Sequence, residues 1–211
     1  MTTAIVIPTL NRDPFPIMRQ IEAQTARDWI GVLVQQTATE ATLAHAPEFR
    51  DVGVNRFEPV LDGFHRWIVV HAPWQRGASA ARNLGRGIVQ MLKPRPECLW
   101  FVDDDDTIPP TALADFQTGF AAHPKAMAVV GQVEDQGKVM DDALYSTPRV
   151  CYRTAAALWC AWGAGGPGQD QRYHGSVLRT LGEHQIVKIP QTVCVCGNAQ
   201  VGGLRDPSGR F

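Results

Sequence analysis

Short apolar runs of strand length alternate with amphipathic stretches through the first half of the chain, and that alternation predicts a parallel sheet covered by helices. Ala4 to Ile7 is a β-rich run closed by Pro8, and Ile30 to Val34 is a second continuous apolar run. Between them Pro16 to Thr25 carries Ile17, Met18 and Ile21 on one side, as a helix lying on a sheet requires. From Gln35 to Arg66 the period is lost, broken at Gly53, Pro59 and Gly63, and the segment reads as a loop-rich crossover. Trp67 to His71 returns to strand. Gly77 to Leu92 is a helix whose small residues let it approach a sheet closely, and Pro94 ends it. Leu99 to Val102 is a further strand, and Pro110 to Ala122 is the helix that leaves it.

The second half is looser. Met127 to Val133 reads as a strand followed by a turn around Gly137, and an Ala-rich helix is expected from about Arg153 to Trp162. Residues 163–168 are too rich in glycine to hold one conformation unaided; a substrate loop or lid and a plain linker both fit them. Asp170 to Leu181 resumes as helix, Gln185 to Ile189 as strand, and Gly202 to Phe211 reads as a tail.

Composition narrows the class. With 211 residues the chain fits one domain, large enough to bury about 70% of its unfolded surface. Charged residues make up 19% and the net charge is −1, so nothing resembles the basic footprint of a nucleic-acid binder. No apolar run reaches the ~18 to 20 residues of a membrane-spanning helix, and the start lacks a signal peptide's basic end and long apolar stretch, so a cytoplasmic protein is expected. Five cysteines form an odd set without a C-x-x-C pair and read as reduced, mostly buried thiols.

The chemistry concentrates where the run Leu99 to Val102 ends in four consecutive carboxylates, Asp103 to Asp106, followed by Pro109 and Pro110. An acidic surface turn is the plain reading of such a run. Its place at the end of an apolar strand favours another: ligands collect at the carboxyl ends of strands in open α/β sheets, and oxygen-rich sites suit Mg²⁺ or Mn²⁺. The pattern therefore points to a metal-dependent site that handles phosphate.

Five segments occur in order: Ile5 to Arg12 (Ile-Val-Ile-Pro-Thr-Leu-Asn-Arg), Gln24-Thr25, Arg76 to Gly85 (Arg-Gly-Ala-Ser-Ala-Ala-Arg-Asn-Leu-Gly), the acidic cluster with Pro110, and Gly168-Gln-Asp170 before a helix. Together they resemble the family-2 glycosyltransferases of the GT-A fold over nearly the whole chain. The resemblance implies a three-layer α/β/α sandwich with a mostly parallel central sheet, a donor half over 1–110, an acceptor half over 111–201 and a tail over 202–211. It implies inverting transfer of a sugar from a nucleoside diphosphate donor, a UDP sugar being expected, to an acceptor hydroxyl, with Mn²⁺ or Mg²⁺ as cofactor.

In the family's D-x-D pattern Asp103 and Asp105 are the matching positions, Asp105 as direct metal ligand and Asp103 as ribose or water-bridged contact, with Asp104 on the nucleotide sugar. Pro8, Thr9 and Arg12 are expected to border the nucleotide, with a helix cap and a surface arginine as the plain alternative. Arg76 and Arg82 are placed so that either is available to the pyrophosphate and the other to the fold, since a guanidinium matches phosphate oxygens in bidentate fashion. Asp170, with Gln169 in the place of the family's Glu, matches the general base that takes the acceptor proton; a helix N-cap is the competing role. Asp106 is assigned to the acceptor side or to orienting the other carboxylates.

Two departures stand out. Gln35-Gln36-Thr37-Ala38 replaces the usual acidic segment after the second strand; the Gln36 amide retains a donor and an acceptor with which to read a pyrimidine edge. No C-terminal histidine completes a metal shell at the expected distance. His174, one turn after Asp170, faces either the acceptor or, more in keeping with a polar helix position, solvent. Trp162 is either a stacking platform on the acceptor side or core, which two tryptophans three apart on a helix usually are. Other readings are a degenerate nucleotide-sugar-binding protein and a haloacid-dehalogenase-type phosphatase using Asp103 and Asp105. The acceptor is left open among a saccharide, a lipid-linked glycan, a protein and modified nucleic acid, and a homodimer suits a small domain of this kind.

Overall fold

The computed structural model describes residues 1–36, 67–72, 77–135, 137–139, 147–163 and 169–195. The crossover over 37–66, Arg76, most of the glycine-rich segment, Cys196 and the tail lie outside the described residues. Among the described residues eight strands form one sheet: β1 (Thr3–Leu10), β2 (Trp29–Gln36), β3 (Trp67–Ala72), β4 (Cys98–Phe101), β5 (Ala128–Asp135), β6 (Lys138–Val139), β7 (Val150–Arg153) and β8 (Ile186–Val195). Their order is β3-β2-β1-β4-β7-β5-β6, with β8 paired to β5. β3, β2, β1 and β4 are mutually parallel, β7 and β6 run antiparallel to their neighbours, and β8 pairs β5 in parallel. This is a mixed, mostly parallel α/β architecture, as the resemblance implies.

The period-two pattern sorts the core. On one face Ile5, Ile7, Leu33 and Trp100 meet Ile17 and Ile21 of α1 (Phe15–Glu22) and Leu113, Phe116 and Phe120 of α3 (Ala112–Ala122). On the other, Val6, Val32, Val34 and Phe101 meet Ile88 and Val89 of α2 (Ala78–Met91) and Tyr173 and Val177 of α5 (Gln169–Thr180). Fully burying such side chains contributes roughly 2 kcal/mol each. The small face expected on α2 is real: a Cβ at Gly85 would lie 2.4 Å from Val6 Cγ1, so the helix rests directly on β1.

The Ala-rich helix expected from Arg153 to Trp162 is corrected. Val150–Arg153 is strand β7, held between β4 and β5, and only α4 (Thr154–Ala157) is helical. The alanines do start a helix at the expected place, but it ends after one turn because beyond Ala157 the Leu158 and Cys160 carbonyls accept from Arg86 of α2 and Asn83 holds the Trp162 backbone. The last strand is also longer than expected, reaching Val195 where it bridges to Thr107. Cys98 and Cys151 are free thiols and buried, Cys160 is a free thiol and half-buried, and Cys194 is buried.

Candidate active site

The chain runs β1 to β2 to β3 outward, then returns to place β4 on the other side of β1. At that reversal the carboxyl ends of β1 and β4 diverge, which is where open α/β sheets leave a crevice. A cleft of about 500 Å³ opens there, lined by Pro8, Thr9 and Leu10 of β1, Arg12, Gln36 of β2, Ala78 and Arg82 of α2, Asp103 to Asp105 beyond β4, and Gln169 and Asp170 of α5. Residues far apart in sequence thus meet on one surface.

The acidic segment is held from three sides. Gln20 Oε1 of α1 accepts from the Ile108 N–H at 2.6 Å, while Gln24, just after the helix, donates to the Pro109 carbonyl at 2.8 Å and accepts from the Leu113 N–H at 3.0 Å. From β8, Val195 exchanges two backbone hydrogen bonds with Thr107, at 2.8 and 3.0 Å. In front, Asn11 takes a left-handed conformation, φ 53°, and the next residue, Arg12, reaches Asp104 at 2.9 Å and Asp105 at 3.0 Å. The hydrogen bond to Asp105 is the largest influence keeping the Arg12 guanidinium charged.

The three carboxylates of the cluster that line the cleft differ. Asp105 is well exposed. Asp104 is mostly buried, and burial raises its carboxyl above the ordinary range although a hydrogen bond with Thr9 and the charge of Arg12 oppose the shift. Asp103 is bonded to Arg82.

Arg82 itself is 2% exposed, and its other terminal nitrogen donates to Asp170 at 2.9 Å. Burial works against its charge, and the two carboxylates outweigh it. The Asp170 carboxyl is raised by burial and lowered by Arg82, with a net rise. That moves it toward the working range of a general base at neutral pH. Because α5 begins at Gln169, Asp170 sits inside its first turn, not at the N-cap position before it.

Several expectations are revised. Arg82 is no exposed phosphate clamp, since its guanidinium is buried against two carboxylates. His174 neither faces an acceptor nor solvent: it is fully buried, with Nδ1 2.6 Å from the Tyr152 hydroxyl. Trp162 takes the core role of its two readings, not the acceptor-side one, and stacks on Tyr173 with ring centroids 4.1 Å apart. Asp106 does not line the cleft; its carbonyl accepts a hydrogen bond from Gln20. Gln36 does line the cleft but donates through Nε2 to the Gly77 carbonyl at 3.1 Å, fixing the turn that starts α2. Gln169 is bonded to Ser79 of α2. Leu10 and Ala78 were missed, and as apolar positions at element ends they carry no chemical signal in the sequence.

Asp103, Asp104, Asp105 and Asp170 face Arg12 and Arg82, so the ionised cleft keeps two negative charges. Among the described residues no three His, Cys, Asp or Glu side chains are gathered to enclose a metal. A hard divalent ion held by one or two carboxylates, waters and substrate phosphates needs no such cage. The exposed Asp105 carboxylate and the part-exposed Asp103 beside it fit that donor set.

The sequence model of glycosyl transferase family 2 matches residues 4–176. No curated protein matches the chain. Similar solved structures include S. aureus TarS 1-349, at 16% identity and TM-score 0.72 over 93% of this chain and 60% of that one. The same protein in complex with UDP-GlcNAc aligns at 15% identity and TM-score 0.73, over 96% and 60% of the two chains. Its complex with UDP aligns at 15% identity and TM-score 0.70, over 93% and 60%. This chain therefore spans about 60% of the length of those TarS chains, and at such identity the likeness is one of fold. The family match and the position of Asp103 after the fourth strand leave no support for the phosphatase reading. Among the described residues no helix is long and apolar enough to cross a membrane.

Proposed function

The chain belongs to glycosyl transferase family 2, and from that premise we propose that it moves a sugar from a UDP donor to an acceptor hydroxyl with inversion, Asp170 acting as general base. The observation that carries the reading is the meeting of Asp170 with Asp103 to Asp105 across one cleft at the reversal of strand order. Asp170 takes the acceptor proton, the freed oxygen attacks the anomeric carbon, and the bond from that carbon to the diphosphate oxygen breaks on the opposite face. Asp105, with Asp103, would hold Mn²⁺ or Mg²⁺. Such an ion neutralises charge as it builds on a leaving diphosphate.

Residues of the chain account for the rest of the arrangement. Arg12 holds Asp104 and Asp105 in place at the cleft mouth, and Gln20 of α1 and Gln24 just after it fix the backbone behind them. Because the similar TarS structures include complexes with UDP and UDP-GlcNAc, UDP-GlcNAc is the first donor to try.

The test is a thermal-shift panel of UDP, GDP, dTDP, CMP and ADP with and without Mn²⁺, joined to UDP release from UDP-GlcNAc. A ligand bound by the native state alone raises apparent stability with its occupancy. A metal-dependent rise with UDP and release of UDP support the proposal. A rise without turnover favours a binding protein, a reading consistent with Gln35 and Gln36 in place of the family's acidic pair. No rise with any nucleotide overturns both.

A further inference from the structure

We infer that Arg82 is a positioning residue for the transfer: it sets the Asp170 carboxylate against Asp103 and does not touch the donor's phosphates. The inference rests on the reading of Asp170 as base. A phosphate clamp needs a guanidinium edge open to the ligand. Here one terminal nitrogen donates to Asp170 at 2.9 Å, and the other donates to Asp103 and to Thr147 Oγ1 at 3.3 Å. The guanidinium carbon lies 4.3 Å from the Trp162 ring centre, and the residue is 2% exposed. Both terminal nitrogens and one face are thus committed inside the protein.

The surroundings of Arg82 also fix the helix that carries Asp170. Asn83, its neighbour on α2, clasps the Trp162 backbone twice, donating to its carbonyl at 2.8 Å and accepting from its N–H at 2.9 Å. Trp162 stacks on Tyr173 of α5, three residues beyond Asp170, and the Tyr173 hydroxyl donates to the Ala157 carbonyl at 2.9 Å. Helix α2 therefore holds α5 directly, from Arg82 to Asp170, and again through Asn83, Trp162 and Tyr173. A misplacement of about 1 Å in a reacting group can cost on the order of 100-fold in rate, which is the burden such a strut relieves. Only a planar fork spans two carboxylates in this way; a lysine ammonium is a point charge on a flexible stem.

The experiment compares wild type, Arg82→Lys, Arg82→Gln, Asp170→Asn and Arg82→Gln with Asp170→Asn, all as the full chain. UDP affinity in Mn²⁺ is read by calorimetry and turnover by UDP release from UDP-GlcNAc with water as acceptor. The expected result is UDP affinity within about twofold of wild type, turnover down about 100-fold in both Arg82 variants, and an Arg82→Gln loss that shrinks to about twofold once Asp170 is Asn. A tenfold loss of UDP affinity with turnover kept at saturating donor makes Arg82 a phosphate contact and overturns the inference. Fully additive losses overturn it as well, because Arg82 then acts independently of Asp170. Wild-type turnover in Asp170→Asn overturns the role given to Asp170, a different failure.

Melting temperatures of the same variants read the pair without substrate. In the double variant the loss must fall short of the sum of the two single losses, and additivity there removes the strut itself.

Discussion

The Tyr152 hydroxyl and Nδ1 of His174 lie 2.6 Å apart, with both residues fully buried. Burial raises the Tyr152 phenol well above its ordinary value and pushes His174 down to about 3, so both groups are neutral and share one hydrogen bond. The histidine's folded value is below its unfolded one, so the unfolded chain binds the extra proton first as pH falls. Stability from this group is full above about pH 6.5 and is lost through the window down to about 3, at up to about 1.4 kcal/mol per pH unit. Melting temperature should therefore fall on acidification from pH 7 to 4.5, and less steeply in His174→Phe. Equal slopes in the two proteins would show that His174 is not the titrating group.

Asp170→Asn keeps an oxygen that accepts the Arg82 hydrogen bond while removing the charge that takes a proton. UDP affinity should stay within about twofold, and turnover should fall by about 100-fold or more, the usual contribution of a general base. Unchanged turnover in an assay of UDP release would leave Asp170 as an ion-pair partner of Arg82 and nothing else.

Asp105 is the exposed carboxylate of the cluster, restrained by Arg12. In Asp105→Ala the increment in UDP affinity brought by Mn²⁺ should vanish, while metal-free affinity holds or improves slightly because one negative charge has left the cleft. Calorimetry with and without Mn²⁺ checks this. An undiminished increment would move the metal assignment away from Asp105.

The cleft was legible because its residues belong to motifs with fixed order. Thr9, Arg12, Gln36, the three aspartates, Gln169 and Asp170 all line it, although nothing in the sequence alone says that Asp103 and Asp170 meet. What sequence could not reveal was burial of polar groups. His174 was expected on a solvent face because polar helix positions usually are, whereas α5 buries Tyr173, His174 and Val177 together. Arg82 is neutralised by partners 21 and 88 residues away, pairings that no local pattern encodes. Strand β7 escaped for a related reason: four residues beside an Ala-rich run become a strand only when β4 and β5 stand ready on either side.

Gln24 was noted for its place in a motif, and its structural role is sharper than that. Its amide closes both ends of a turn, donating to the Pro109 carbonyl and accepting from the Leu113 N–H, 85 and 89 residues away. The side chain is fully buried, so Gln24→Leu would leave two backbone groups without partners at a cost of roughly 1 to 3 kcal/mol each. The turn follows directly on the acidic cluster, so the loss should not stop at stability. Chemical denaturation should show destabilisation, and UDP affinity in Mn²⁺, measured at a temperature where the variant is folded, should fall severalfold as Asp103 to Asp105 lose their support. Destabilisation with wild-type UDP affinity would mean that the contacts from Thr107 to Val195 and from Arg12 suffice to hold the carboxylates.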